Sequence, residues 1–287
     1  MKFLVLGATG TIGSAVAATL AHQGHDVLGL SRRTDSDRKL KAQGLSFFRG
    51  DLRDPCPWAH LLSEMDAVIQ TACTFTDDMA AVDAGVVEAL MAAGRSRAVP
   101  LRVLYTGGCW LYGVTGDRVA ADGDAFAPLS AFAWMLDHSA SLLAAPGLST
   151  AIIHPAMVYG EAGGVFARMV DDARAGRPIE YWGSIETRWP LVHRADLAEA
   201  YALLLADPGL TGHFNASAEE GAALAEIVAH IAISHGATRF RRRPLADVLA
   251  EHGAWAEGPT LDQQMASGRL RALGWSPRHT SFRSAIG

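Results

Sequence analysis

Residues Gly7-Ala8-Thr9-Gly10-Thr11-Ile12-Gly13 have the types and spacing of a loop that holds a phosphate. Glycines at the first, fourth and seventh places allow a tight turn and close backbone approach. A helix starting directly behind them offers amide N–H groups and a positive dipole end to a pyrophosphate. A mere tight turn does not explain three glycines at this spacing between a strand and a helix, so the run predicts nucleotide binding through Gly7, Thr9, Gly10, Thr11, Ile12 and Gly13. A second signal is Ser31-Arg32-Arg33. An NAD-specific site would place an Asp or Glu about 20 residues beyond the loop for the ribose hydroxyls. Two guanidiniums beside a serine suit a 2'-phosphate instead, because Arg makes bidentate charge-assisted bonds to phosphate oxygens. NADP is therefore expected in preference to NAD, with a pair of solvated loop arginines as the plainer reading.

Such a loop works only between a strand and a helix, and the chain supplies both. Phe3-Leu4-Val5-Leu6 is a continuous apolar run typical of a parallel strand covered on both faces, and Ser14 to His22 reads as a helix. Further strands are expected at Asp26 to Leu30, Leu45 to Arg49, Ala67 to Gln70, Arg102 to Tyr105 and Ala151 to Ile153. Helices are expected over Asp77 to Gly94 and Phe132 to Ala145. Strand, helix, strand at this spacing predicts right-handed crossovers and a parallel sheet with helices on both faces. Beyond Tyr159-Gly160 the pattern loosens: a helix at Val165 to Ala175, a strand at Pro190 to Val192, a helix at Asp196 to Ala206 and a short extended piece at His213 to Asn215.

With 287 residues the chain can bury about three quarters of its unfolded surface, so stability needs no disulfide or metal. A net charge of -5 argues against a nucleic-acid platform. The basic run Arg239-Phe240-Arg241-Arg242-Arg243 reads as a solvated strand or loop in preference to an anion site. Cys56, Cys73 and Cys109 are odd in number and widely spaced, which fits neither a disulfide framework nor a metal clasp and points to a reducing, cytoplasmic setting. No stretch reaches the roughly 18 apolar residues that cross a bilayer. The partner expected is a small-molecule substrate, with no nucleic acid, no membrane and no metal; a homodimer stays open.

The sequence resembles the extended and atypical short-chain dehydrogenase/reductase superfamily, in particular the NAD-dependent epimerase/dehydratase family. Gly50-Asp51-Leu52-Arg53-Asp54 is similar to the family's "GDL.D" segment, Asp66 to Ala72 to its "D.VIHLA" strand, and Leu104 to Gly113 to the strand ending in "VYG". His154-Pro155-Ala156-Met157-Val158-Tyr159-Gly160 is similar to "RP..VYG", Arg188 to Ala198 to "R...VHV.DLA", and Leu273 to Pro277 to "LGW.P". The resemblance implies a Rossmann-type α/β fold: a doubly wound parallel sheet with a smaller, mainly helical C-terminal substrate-binding portion. Residues 1–160, with 190–216 returning to the sheet, would hold the dinucleotide; 161–189 and 217–287 would form a substrate-binding lid. It also implies that Asp51, Leu52, Thr71, Ala72, Cys73, Thr106, His138, His154, Pro155, Ala156 and Met157 border the cofactor.

The family's catalytic pattern breaks here. Members usually pair a Ser or Thr with Tyr-x-x-x-Lys, the tyrosine acting as acid or base and the lysine lowering its pKa while holding the ribose. Counting back from Gly113 puts Gly108 at the serine place, with Thr106 and Cys109 nearby, and between Ala131 and Ala145 there is neither Tyr nor Lys. One register puts Trp134 and His138 at the Tyr-x-x-x-Lys spacing; another puts Ala131 and Met135 there. An indole N–H does not ionise near neutral pH and restores no acid. Candidates for a relocated acid are His138, Asp137, Tyr112, Tyr159 and Cys109. His138 leads because imidazole titrates near neutrality, with Thr106 and Tyr112 as further catalytic candidates. Trp110, Trp134, Trp182 and Trp189 are candidate substrate walls, since aromatic surfaces favour an apolar or ring-containing ligand. Three readings stand: an NADP-dependent oxidoreductase of a small, fairly hydrophobic carbonyl or hydroxyl compound; a dinucleotide-binding enzyme with a non-redox step, such as an epimerase, isomerase or dehydratase; and an NADP-sensing regulatory protein.

Overall fold

A computed structural model describes residues 1–160 and 163–284. The chain opens with β1 (Lys2–Leu6), whose four apolar residues are all buried, and passes through the glycine loop into α1 (Thr11–His22). There follow β2 (Asp26–Ser31), α2 (Thr34–Ala42), β3 (Ser46–Arg49), β4 (Ala67–Gln70), α3 (Met79–Arg95), β5 (Leu101–Thr106), α4 (Trp134–Ala144) and β6 (Leu148–Pro155). Each expected element of this half is present, with ends moved by up to a few residues. The unexpected one is α2, whose sequence is almost wholly polar and buries only Leu40 and Asp37.

The second half begins with β7 (Met157–Gly160), β8 (Gly163–Gly164), α5 (Ala167–Arg174) and β9 (Ile179–Trp182). It continues with β10 (Arg188–His193), α6 (Arg194–Ala206), β11 (Gly212–Ala216) and β12 (Glu219–Ala223), then α7 (Leu224–His235), β13 (Phe240–Arg243), α8 (Leu245–His252) and α9 (Gly268–Ala272). No helix among the described residues is long and apolar enough to cross a membrane.

Two compact units divide the chain. The first comprises Met1–Gly107, Trp134–Ile153 and Leu197–Phe214. Its seven-stranded sheet runs in the order β11-β6-β5-β4-β1-β2-β3. The pairs from β3 across to β6 are all parallel, as the buried apolar strands require. Phe3 stands opposite Val27 on one side and Ala67 on the other, so the strand order reverses at β1 and β4. Ligands of open α/β sheets bind outside the carboxyl ends of strands at such a reversal. The glycine loop leaves β1 at that place. Trp58, Tyr105, Leu4, Leu6, Leu90 and Ile152 are in the main apolar cluster of this unit.

The second unit comprises Gly108–Ala133, His154–Asp196 and Asn215–Gly287. Besides its helices it carries a small sheet in the order β12-β10-β7-β8 and the parallel pair β13-β9. The arginine run forms β13, registered with Arg241 opposite Glu180 and Arg243 opposite Trp182. Its side chains serve this packing: Arg241 and Arg243 bond to Glu180, and Arg242 Nε donates to the Gly183 carbonyl at 2.8 Å. The reading of this run as a solvated strand matches its exposed, paired position.

Candidate functional site

The glycine loop is shaped by close approach. Gly7 has φ +85°, a left-handed conformation in which a side chain would also meet the Ala72 amide at 2.9 Å. A Cβ at Gly13 would lie 2.6 Å from Thr71 Oγ1 and 2.7 Å from the Gly7 carbonyl carbon, and nearer still to the Gly7 oxygen. Thr71 itself ties β4 to β1, its amide and hydroxyl both donating to the Leu6 carbonyl, at 3.0 and 2.7 Å. The Gly10 amide closes the turn on the Gly7 carbonyl at 2.9 Å. No side chain caps α1 and no acid stands in its first turn. The first amides of a helix have no partner within it, so this end keeps donors and a positive dipole for an anion. Gly10 is exposed above the loop, with Thr9, Thr11 and Ile12 half-buried. This cradle, closed to any Cβ at Gly13, fits a dinucleotide pyrophosphate.

At the end of β2 the three expected phosphate ligands diverge. Ser31 is buried and its hydroxyl donates to Asp37 Oδ1 at 2.6 Å, which turns it away from a ligand. Arg32 is about half exposed, with Nη1 3.7 Å from Asp51 Oδ2, and Arg33 is exposed at the start of α2. A third guanidinium stands at the same edge. Arg49 is the register partner of Ser31, bonds to Asp37 and donates to the Arg32 carbonyl at 3.3 Å. Only the parallel pairing of β2 and β3 brings it there. Asp51 also accepts the Arg53 amide at 3.0 Å, and the buried Trp58 pins its carbonyl through Nε1 at 2.9 Å.

Leu52, Gln70, Ala72, Cys73, Thr74, Met79, Val82, Asp83 and Trp134 line a small recess. Asp83, which no local sequence signal marks, is the hub of a buried polar network there. Its Oδ1 accepts Gln70 Nε2 at 2.9 Å, and its Oδ2 accepts the Tyr105 hydroxyl at 2.6 Å and faces His138 Nδ1 at 2.7 Å. Burial, then the charge of Asp83, holds the Tyr105 phenol well above its ordinary pKa. Burial likewise raises the Cys73 thiol. The Trp134 ring packs on His138 with centroids 5.0 Å apart. Thr106 is committed elsewhere: its hydroxyl donates to the Gln70 carbonyl at 2.6 Å and accepts from the Tyr201 hydroxyl at 2.5 Å.

The remaining expected residues belong to the second unit. Tyr112 is buried, bonds to Asn215 Oδ1 at 2.9 Å, and is pushed up to about 12 by burial. Burial raises Tyr159 as well, and lifts the Cys109 thiol to about 12. His154 lies buried with the Phe126 ring at 5.2 Å and the Tyr112 ring at 6.2 Å. It is followed by Pro155, Ala156 and Met157, all buried, and the Ala156 amide bonds to the Ala216 carbonyl at 2.9 Å. Trp110, Trp182 and Trp189 each pack against the stretch Ala254–Thr260. A Cβ at Gly258 would lie 2.6 Å from the Trp110 ring, which packs on Phe132 at 5.2 Å. Trp182 stacks on His252 at 4.9 Å and takes the Arg168 guanidinium 4.6 Å above its ring. Trp189 is buried with Nε1 on the Pro259 carbonyl at 2.9 Å. Of the four tryptophans, Trp134 alone lines the recess.

Among the described residues His193, Asp196 and His279 also gather, with ligand atoms within 4.8 Å of one another. Asp196 accepts the Arg278 and His279 amides and His279 Nδ1, each at 2.9 Å, so it clasps the C-terminal strap. The His193 and His279 rings lie tilted against each other, with centroids 3.8 Å apart and 33° between planes.

Over residues 3–217 the chain matches the NAD dependent epimerase/dehydratase family. The chain belongs to this family. An uncharacterised protein of Schizosaccharomyces pombe is 28% identical to it over 98% of this chain and 97% of its own, and another of Saccharomyces cerevisiae 27% over 97% and 95%. Among solved structures, human epimerase family protein SDR39U1 with NADPH superimposes with a TM-score of 0.81 at 21% identity, covering 100% of this chain and 98% of its own. The Thermus thermophilus UDP-glucose 4-epimerase complex with NAD gives 0.80 at 23%, covering 100% and 96%. The dTDP-glucose 4,6-dehydratase of Streptomyces venezuelae gives 0.84 at 20%, covering 100% and 94%. At such identities these epimerase/dehydratase structures share the fold with this chain.

Proposed function

We propose that this family member is an NADP-dependent oxidoreductase of a small, fairly hydrophobic carbonyl or hydroxyl compound, with His138 carrying the proton. The observation that carries the reading is the state of the three catalytic candidates, Thr106, Tyr112 and His138. The Thr106 and Tyr112 hydroxyls are spent on protein partners, whereas His138 has Nδ1 on Asp83 and an Nε2 with no partner among the described residues. His138 also stands where one register of the family pattern would place the lysine.

For the cofactor, the amides of the Gly7 to Gly13 loop would hold the pyrophosphate, and Arg32 and Arg33 the 2'-phosphate. Asp51 and Leu52 would border the adenine. Among fold neighbours one was solved with NADPH and others with NAD; the guanidiniums at the end of β2 favour the phosphorylated form here. Bound NADPH supplies the hydride. His138, protonated on Nε2, gives the accompanying proton to the carbonyl oxygen in reduction and takes one from the hydroxyl in oxidation. Residues 1–160 and 190–216 are assigned to the dinucleotide, and 161–189 and 217–287 to the substrate. A reducing cytoplasm is the compartment that suits three unbridged cysteines.

Loss of NADPH absorbance is the assay, run over a panel of apolar ketones and aldehydes. The expected result is turnover that His138→Ala abolishes. The missing Tyr and Lys also suit a non-redox enzyme or an NADP sensor. NADPH binding without oxidation by any compound transfers the assignment to those, and unchanged kcat in His138→Ala removes the histidine.

A further inference from the structure

The carboxylate of Asp83 is placed where a structural requirement alone would be met by an uncharged group. It lies in the second turn of α3, buried, and touches no Lys or Arg among the described residues. Burying an ionised carboxylate is costly unless each oxygen is satisfied and a cation can form beside it. Both oxygens are satisfied here, and proton bookkeeping around them is closed. Gln70 has its amide orientation fixed by the backbone on either side, since Oε1 accepts the Ala72 amide at 3.1 Å and Nε2 donates to the Ala72 carbonyl at 3.2 Å. Its Nε2 is therefore a donor to Asp83 Oδ1. Tyr105 keeps its phenolic proton, as burial dictates, and donates it to Oδ2. The same Oδ2 lies 2.7 Å from His138 Nδ1. A neutral imidazole with its proton on Nε2 would set a nitrogen lone pair against a carboxylate lone pair at that distance. The contact is favourable only with the proton on Nδ1.

We propose that Asp83 is a positioning residue which fixes His138 as the Nδ1–H tautomer and so makes Nε2 the atom that exchanges a proton with the substrate. The second half of this statement rests on the reading of His138 as the proton carrier. The step balances: Nε2 accepts the hydroxyl proton, the imidazolium that forms is held against the Asp83 carboxyl group, and the proton leaves again from Nε2. Trp134 walls the ring on one side, so carboxylate and indole together set its orientation. Tyr105 on β5 and Cys73 after β4 are the other titratable groups coupled to Asp83. Tyr105 is fully buried and Cys73 half-buried at the recess, and the His138 side chain retains 17% exposure against 8% for Asp83.

Two-bond proton–nitrogen NMR spectra of the full 15N-labelled chain, at mildly alkaline pH and without ligand, read the tautomer directly, with His138→Gln assigning the signal. The expected wild-type pattern is a protonated Nδ1 and an unprotonated Nε2; a dominant Nε2–H form overturns the proposal. Asp83→Asn should move the signal toward Nε2–H, and an unchanged pattern in that variant overturns it too. Tyr105→Phe removes the neighbouring donor but leaves the pair, so Nδ1–H should persist. If Asp83→Asn does not fold, the wild-type spectrum and Tyr105→Phe still decide the tautomer. Where turnover is found, Asp83→Asn should lower kcat roughly 100-fold with KM and NADPH affinity held, and an unchanged kcat refutes the positioning role. The tautomer is read without cofactor or substrate, so failure of the proposed reaction is distinguishable from failure of the Asp83 assignment.

Discussion

Substitution of the last two glycines of the loop separates its folding role from its binding role. In Gly13→Ala the new methyl would stand 2.7 Å from the Gly7 carbonyl carbon and 2.6 Å from Thr71 Oγ1. Carbon atoms rest at about 3.5–4.0 Å, so α1 must retreat by about 1 Å from the ends of β1 and β4. Overpacking of this kind costs about 1–3 kcal/mol, equivalent to a Tm lower by roughly 2–5 °C in a chain of this size. The same retreat misplaces the helix amides, and NADPH affinity should fall at least about tenfold, or 1.4 kcal/mol. In Gly10→Ala the backbone is ordinary, with φ -79°, and the methyl meets only the Gly7 oxygen at 3.3 Å. That variant should keep its Tm within about 2 °C, the lost cap preference and the gained chain stiffness being of similar size. It should nevertheless bind NADPH more weakly, because its methyl projects over the exposed loop. Thermal melts and quenching of tryptophan fluorescence by NADPH read both quantities. A Gly13→Ala protein with wild-type Tm and affinity would refute the close-approach argument, and wild-type affinity in Gly10→Ala would refute the loop as the phosphate site.

The thiols should react in order of exposure, Cys56 quickly with Ellman's reagent at neutral pH and Cys109, its thiol held near 12 by burial, only after unfolding; prompt labelling of Cys109 in the folded chain contradicts this. Cys109 and Tyr112 both keep their protons longer folded than unfolded, so the stability they contribute is complete below about pH 9 and is lost as pH rises toward 12. Urea melts should show a decline on the order of 6 kcal/mol over that window, reduced by more than half in Cys109→Ala. Arg102 is buried on β5 and donates to the Leu204 and Leu210 carbonyls at 2.6 and 2.9 Å, holding the end of α6. Arg102→Met should therefore cost about 2 kcal/mol or more in urea unfolding, since it leaves those carbonyls without donors, and an unchanged midpoint would show that water replaces them.

The parts of the fold legible in the sequence are those whose cause is local. The glycine loop, the apolar strands and the long helices carry their periodicity and turn chemistry in consecutive residues. Helix α2 was hidden because its stability comes from one apolar side chain and from the Asp37 ties to Ser31 and Arg49, contacts made across strands. The pairing of β9 with β13 was hidden for a related reason, since Glu180 and Arg241 meet only through a parallel crossover. At the site, His138 was visible as a titratable group at a telling spacing. Asp83 was not, because an Asp within an apolar helix carries no mark of the imidazole that meets it 55 residues on. Ser31 shows the limit of reading type without orientation: its hydroxyl suits a phosphate but points to Asp37. Tryptophans suit a pocket wall and a core equally in sequence, and only packing places Trp134 at the recess and the other three elsewhere.

Equilibrium titration of the purified chain with NADPH and with NADH, in wild type and Arg32→Ala, tests the central claim most directly. Saturable binding of NADPH at least about tenfold tighter than NADH, with that preference lost in Arg32→Ala while NADH affinity is held, is the expected result. Binding of neither dinucleotide would contradict the assignment of the loop, and equal binding of both in the wild type would contradict the role of the guanidiniums at the end of β2.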